Sequence, residues 1–187
     1  IQTPKGMLKK GRALTAEDID RLAAAGRTEI VAARLEPGDV GEDEAAVRIA
    51  RVAAGPGTHA AAPFTGRANL FASAAGLAVI DAAALARVNA LDEGLTVATV
   101  PNLERVAPGQ MITTVKVITF ALSESVVSAA EKALASGPHL ASVRPFAPRT
   151  AGLVLTRMPA TKANVLAKRR TAIEDRLTAL GATLGPV

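Results

Sequence analysis

The chain of 187 residues is long enough for one large domain or two small ones, and it has no Cys, Trp or Tyr, which excludes disulfides and thiolate metal sites. Its only aromatics are Phe64, Phe71, Phe120 and Phe146, so the core must be built from small aliphatic side chains at close approach. The net charge of +5 is uneven: residues 1–143 hold 14 Lys/Arg against 15 Asp/Glu, residues 144–187 hold 8 against 2, and an anionic partner is expected at the C-terminal quarter.

Elements follow from caps, periodicity and turn residues. Thr15 with Asp18, then Ile19, Leu22 and Ala23 before Gly26, predict a short capped helix, and Glu29 to Ala33 a strand. Leu35-Glu36-Pro37-Gly38-Asp39 is turn chemistry, after which Glu42-Asp43-Glu44 open a helix through Ala54, stopped by Gly55-Pro56-Gly57. Between Thr58 and Asn89 we expect a strand, a polar loop over Phe64 to Asn69, an Ala-rich segment, a strand at Leu77 to Ile80 and a helix from Asp81. Leu95 to Val100 and Met111 to Phe120 are β-rich runs that suggest a β-subdomain. Ser123 caps a helix to Ala135, ended by Gly137-Pro138. Ala151 to Thr156 reads as a short buried strand, followed by a helix from about Lys162 to Leu180 with Val165, Leu166, Ile173, Leu177 and Leu180 on one face. Ala182-Thr183-Leu184 reads as the start of the next strand. A parallel β-α-β unit needs further strands beside it, which predicts more of the same domain beyond Val187, and Ile1 in place of Met predicts a start inside a longer chain.

No apolar run approaches the roughly 18 residues of a membrane span: Ala72 to Ile80 is interrupted by Ser73 and Gly76. The start carries no secretory apolar region, and the expected location is cytoplasmic.

Four segments in order carry a family resemblance. Leu8-Lys9-Lys10-Gly11-Arg12-Ala13-Leu14-Thr15-Ala16-Glu17-Asp18-Ile19 through Leu22-Ala23-Ala24-Ala25-Gly26 resembles the G-x-x-L-T-x-x-D-I-x-x-L-A-A-A-G segment of molybdopterin molybdotransferases. It is joined by Ala62-Pro63-Phe64-Thr65-Gly66-Arg67-Ala68-Asn69-Leu70-Phe71, by Pro108-Gly109-Gln110-Met111-Ile112-Thr113-Thr114-Val115-Lys116, and by Gly152-Leu153-Val154-Leu155-Thr156-Arg157-Met158-Pro159-Ala160-Thr161-Lys162. Together they look like a bacterial molybdopterin-binding protein, of the kind that can precede a cofactor nucleotidyltransferase domain. The resemblance implies an α/β chain: a mixed α/β portion with a β-rich subdomain over 1–145, then over 146–187 the start of a three-layer parallel-sheet domain shared with molybdopterin adenylyltransferases. Those enzymes carry acidic residues after the first strand; here Thr156-Arg157-Met158-Pro159 stands instead, which favours anion binding over catalysis.

The implied ligand is molybdopterin or the molybdenum cofactor. Thr156, Arg157, Thr161 and Lys162 at a helix start suit a phosphate, against the plainer reading that Thr161 caps the helix and the cations are solvated. Thr65, Gly66, Arg67 and Asn69 could read a pterin edge or a second phosphate, Asn offering both donor and acceptor, or could form a loop tied to its own backbone. Lys116 alternates onto the face of Thr114, Ile118 and Phe120 and is a further candidate cation. Lys168-Arg169-Arg170 reads as a solvated face; nucleic acid is disfavoured there because single-strand binders use aromatic platforms and the region has only Phe146. Glu42-Asp43-Glu44 is better explained by the helix dipole than by a metal, and His59 and His139 lack paired-ligand spacing. Two other functions remain open: part of a cofactor nucleotidyltransferase whose catalysis lies in another domain, and an assembly module that pairs with itself or with a cofactor-synthesis or molybdoenzyme partner.

Overall fold

The computed structural model describes residues 1–3, 6–8 and 13–185; Lys9, Lys10, Gly11 and Arg12 of the first resembling segment lie outside them. The chain opens with β1 (Gln2–Thr3), β2 (Gly6–Met7), α1 (Ala16–Ala24), β3 (Asp39–Gly41) and α2 (Glu42–Ala53). It continues through β4 (Thr58–Ala60), β5 (Arg67–Ala72), β6 (Gly76–Ile80), α3 (Ala82–Asn89), β7 (Leu95–Thr99), β8 (Arg105–Val106) and β9 (Met111–Val117). The last elements are β10 (Ala121–Ser123), α4 (Glu124–Ala135), β11 (Ala141–Pro145), β12 (Thr150–Ala151), α5 (Ala163–Thr178) and β13 (Thr183–Leu184).

Local chemistry sets the helix starts. Thr15 Oγ1 accepts from the Asp18 N–H while the Asp18 carboxylate accepts from the Thr15 N–H, a capping box that satisfies two otherwise unpaired donors of α1. Asp81 and Ser123 cap α3 and α4 through their side-chain oxygens.

The fold is mixed α/β, and its sheets are antiparallel with one exception. The largest runs β4-β5-β9-β7, a second runs β11-β6-β8, and β10 pairs with β3. Among the strands of the described residues, β12 and β13 alone pair in parallel, with α5 as their crossover; a single parallel bridge also joins Ala54 to Ala141. No helix among the described residues is long and apolar enough to cross a membrane.

Alternation along the four-stranded sheet sends Ala68, Leu70, Ala72, Leu95, Val97, Val115 and Val117 to one buried face. Helix α2 lies on that face over β5 and β9, α3 lies over β7, and α4 packs on both helices. The buried side of α2 is Ala45, Ala46, Ile49, Ala50 and Ala53, so alanine methyl groups and the one larger side chain of Ile49 set its distance from the sheet. None of the four phenylalanines is buried.

Arg48 spans the seam between α2 and α4, donating to both Glu124 oxygens at 2.7 Å and to Glu131 at 2.8 and 3.0 Å. Those hydrogen bonds hold Glu124 down at about 2 against an ordinary 4.5 and pull Glu131 below its usual range. A carboxylate with a depressed folded pKa contributes stability that is present above its unfolded value and lost as pH falls through the folded one. Arg48→Met is therefore expected to lower the melting temperature at pH 7 by a few degrees (roughly 3 °C), and the gap to wild type should close between about pH 4.5 and pH 2. Melting curves across that range check it; a gap independent of pH would show that Arg48 acts through its alkyl stem alone.

Thr113 is buried among apolar neighbours, and its Oγ1 has no hydrogen-bond partner. An unpaired buried hydroxyl costs about 1–3 kcal/mol, and valine has the same shape. Thr113→Val is expected to stabilise the fold by about 1 kcal/mol, read as a higher urea midpoint at unchanged slope.

Several expected elements differ. Glu29 to Ala33 forms no strand; Val31 is fully exposed and no partner strand runs beside it, and β propensity without pairing does not make a strand. The loop expected over Phe64 to Asn69 ends at Gly66, and Arg67 begins β5. The strand expected over Ala151 to Thr156 is confined to Thr150–Ala151, and Val154 is exposed. Helix α5 has the expected apolar stripe, but Leu166, Ile173 and Leu177 are only half-buried and no α5 residue is fully buried.

Candidate functional site

Opposite the helices, the four-stranded sheet has a face against which no helix packs among the described residues. Residues at odd steps from the buried set point there: Arg67, Asn69 and Phe71 from β5, Thr114 and Lys116 from β9, Thr96 and Ala98 from β7, and His59 from β4. The register is specific. Arg67 stands directly opposite Lys116, which has Thr96 on its other side, and Asn69 stands opposite Thr114.

The Arg67–Lys116 pair is the least ordinary feature of this face. Like charges directly opposite one another destabilise a sheet, and neither cation makes an ion pair among the described residues. The four strands contain no Asp or Glu at all. One strand step further, the Thr114 hydroxyl donates to Asn69 Oδ1 at 2.5 Å, which fixes the amide and leaves its N–H groups available as donors. At the next step the Phe71 and His59 rings stack with centroids 5.8 Å apart and planes 26° from parallel. A β-bulge between Leu70 and Phe71 sets this end of the strand, and His59 Nδ1 lies 3.2 Å from Ser73 Oγ. Cations, an oriented amide and an aromatic surface thus follow one another along β5. Beyond His59 the face meets a groove of about 280 Å³ between α2 and β4, lined by Val47, Ala50, Ala54 and Ala60 with Arg51 at its margin.

Comparison with known proteins yields no match. No family model, curated protein or solved structure corresponds to the chain.

Arg67, Asn69 and Lys116, singled out from the sequence, meet on this face. Thr65 and Gly66 do something else. Phe64 and Arg67 exchange both backbone hydrogen bonds across them, and both take positive φ, 48° and 70°, the signature of a tight two-residue hairpin turn. The Gly66 N–H donates to Asp43 Oδ1 at 2.7 Å, and its carbonyl accepts from the Val117 N–H. One member of the acidic triplet at the start of α2 is thus spent holding the turn. Glu42 beside it has its pKa raised by burial and by the Asp43 charge.

Thr156, Arg157, Thr161 and Lys162 lie elsewhere, on the loop between β12 and α5. Lys162 is the N-cap residue of α5 and makes no side-chain cap. Thr161 does not cap the helix either; its Oγ1 accepts from the Met158 N–H, closing a turn with the Thr161 N–H to Met158 carbonyl bond. Thr156, Arg157 and Lys162 are exposed. From the sequence, Phe71 and Thr96 are not singled out, His59 is weighed only as a metal ligand, and Thr114 stands only as a face neighbour of Lys116. The alternation Arg67-Ala68-Asn69-Leu70-Phe71-Ala72 is the available signal for Phe71; the placement of His59, Thr96 and Thr114 beside β5 and Lys116 needs the strand pairing.

Proposed function

We propose that this chain binds a phosphorylated planar heterocycle on the open face of its four-stranded sheet, and that the ligand is molybdopterin or the molybdenum cofactor, as the sequence resemblance implies. The observation that carries the reading is the Arg67–Lys116 pair, two cations held face to face on a sheet without a single acid. Arg67 can take two phosphate oxygens through its planar fork, and Lys116 adds a compact charge. Asn69 donates to a ring carbonyl or ring nitrogen, and Phe71, backed by His59, offers a stacking surface. Thr65 and Gly66 serve by fixing the turn from which Arg67 departs. Arg157, Thr156 and Lys162 form a second anion-binding turn at the start of α5, to which Thr161 adds only its remaining O–H proton because its oxygen already accepts from the Met158 N–H, and the β12-α5-β13 unit belongs to the three-layer parallel-sheet domain.

Isothermal titration of the full chain with purified molybdopterin tests the assignment, with inorganic phosphate and unphosphorylated pterin as controls. Saturable heat that needs both ring and phosphate, and that is lost in Arg67→Gln, is expected. Absence of binding, or binding unchanged by Arg67→Gln and Lys116→Gln, overturns the placement on the sheet.

A further inference from the structure

The open face is longer than one bicyclic ring with one phosphate requires. Phe64 stands opposite Arg67 across the hairpin turn and is 74% exposed, and directly opposed residues share a face. Phe71 lies four residues along the same strand, which at about 3.4 Å per residue places it roughly 13–14 Å away. In a chain with only four aromatic residues of the Phe, Tyr and Trp type, two bracket one strand outside the core. Between them lie the cations Arg67 and Lys116 and the Asn69–Thr114 amide.

We propose that this face binds single-stranded nucleic acid, with one base on Phe71, a second on Phe64 and the intervening phosphates on Arg67 and Lys116. Base stacking on aromatics at the surface of a four-stranded antiparallel sheet, helices packed behind it, is an efficient way to hold two or three unpaired bases; Phe64 is exposed and Phe71 half-buried beside the exposed His59. Stacking tolerates any base, and the cations follow the backbone. Charge complementarity selects the occupant, because four strands with two unpaired cations and no acid suit a polyanion. Along the chain nucleic acid looks disfavoured, since the basic run Lys168-Arg169-Arg170 lacks aromatics nearby; the fold assembles cations and rings on the sheet instead. The proposal shares the face with the molybdopterin reading but does not depend on it.

Fluorescence anisotropy with labelled hexanucleotides, oligo(U) RNA and oligo(dT) DNA, tests it on the full chain. Saturable binding of either is expected at about 50 mM salt and should weaken towards about 200 mM. Phe64→Ala and Phe71→Ala should each weaken binding roughly tenfold. Phe71→Leu, which keeps the face apolar, should do the same with an unchanged melting temperature, separating lost stacking from lost folding. Arg67→Gln and Lys116→Gln should each reduce the log-log salt slope by about 0.7. No saturable binding of either oligonucleotide overturns the proposal. So does binding indifferent to Phe64 and Phe71 but abolished by glutamine at 168, 169 and 170. Phe64→Ala leaves the molybdopterin site as assigned and should weaken oligonucleotides with molybdopterin affinity unchanged. A wild-type chain that takes up molybdopterin but neither oligonucleotide sinks this inference alone, and the reverse sinks only the cofactor assignment.

Discussion

Lys116→Thr is expected to cost at least tenfold in molybdopterin affinity while leaving the protein as stable as wild type or slightly more so. A hydrogen bond to a charged partner contributes about 1.5–3 kcal/mol, which corresponds to ten- to hundredfold in binding. The stability change has the opposite sign because Lys116 faces Arg67 directly, and removing one of two like charges opposed across a ladder relieves about 0.2–1 kcal/mol. Threonine keeps the β-branched character the strand favours and matches Thr96, its other neighbour. Titration and melting curves on the same samples read both effects. A variant that binds normally but melts lower would show that Lys116 is there for its packed stem and not for its charge.

Gly66→Ala is expected to be a strongly damaging single-methyl change beside Arg67. Gly66 has φ +70°, and a Cβ there would lie 2.7 Å from the Val117 carbonyl and 3.0 Å from a Glu42 carboxylate oxygen. The backbone conformation disfavours any side chain, and the carbonyl belongs to the strand that pairs with β5, so it has little room to yield. About 2–4 kcal/mol of stability should be lost, or roughly 6–12 °C in melting temperature for a domain of this size. Since Arg67 leaves directly from this turn, ligand affinity should fall as well. Thr65→Gly, which relaxes the neighbouring positive φ of 48°, should be neutral or stabilising; if both substitutions destabilise equally, backbone conformation is not the cause.

What could be read from the sequence was what local chemistry decides. Thr15 with Asp18, Asp81 and Ser123 each announce a helix within three or four residues, because a cap is satisfied by the backbone beside it. The β-rich runs starting at Leu95 and Met111 were recognisable from composition, and they pair as β7 and β9. Glu29 to Ala33 had the same kind of composition and no partner, and only tertiary pairing distinguishes the two cases. The site followed the same divide. Arg67, Asn69 and Lys116 stood out as separate candidates, yet that Arg67 and Lys116 are neighbours depends on a ladder between segments 49 residues apart. The Thr65-Gly66 pair read as a permissive loop, whereas it is a two-residue reversal that lets strand structure begin one residue later. The α5 turn drew attention through its net charge, but charge does not reveal whether a hydroxyl is already engaged, and Thr161 is.

A helix seated on its sheet by methyl groups has no slack. Because four of the five buried positions of α2 are alanines and the fifth, Ile49, is already fully enclosed, anything larger would lift α2 bodily and change the curvature of the strands beneath it. A sheet is a single sheet of matter with two surfaces, so that curvature is also what spaces the basic groups on its far side. The spacing of Arg67 and Lys116 is in this sense tuned from behind, by residues that never meet them.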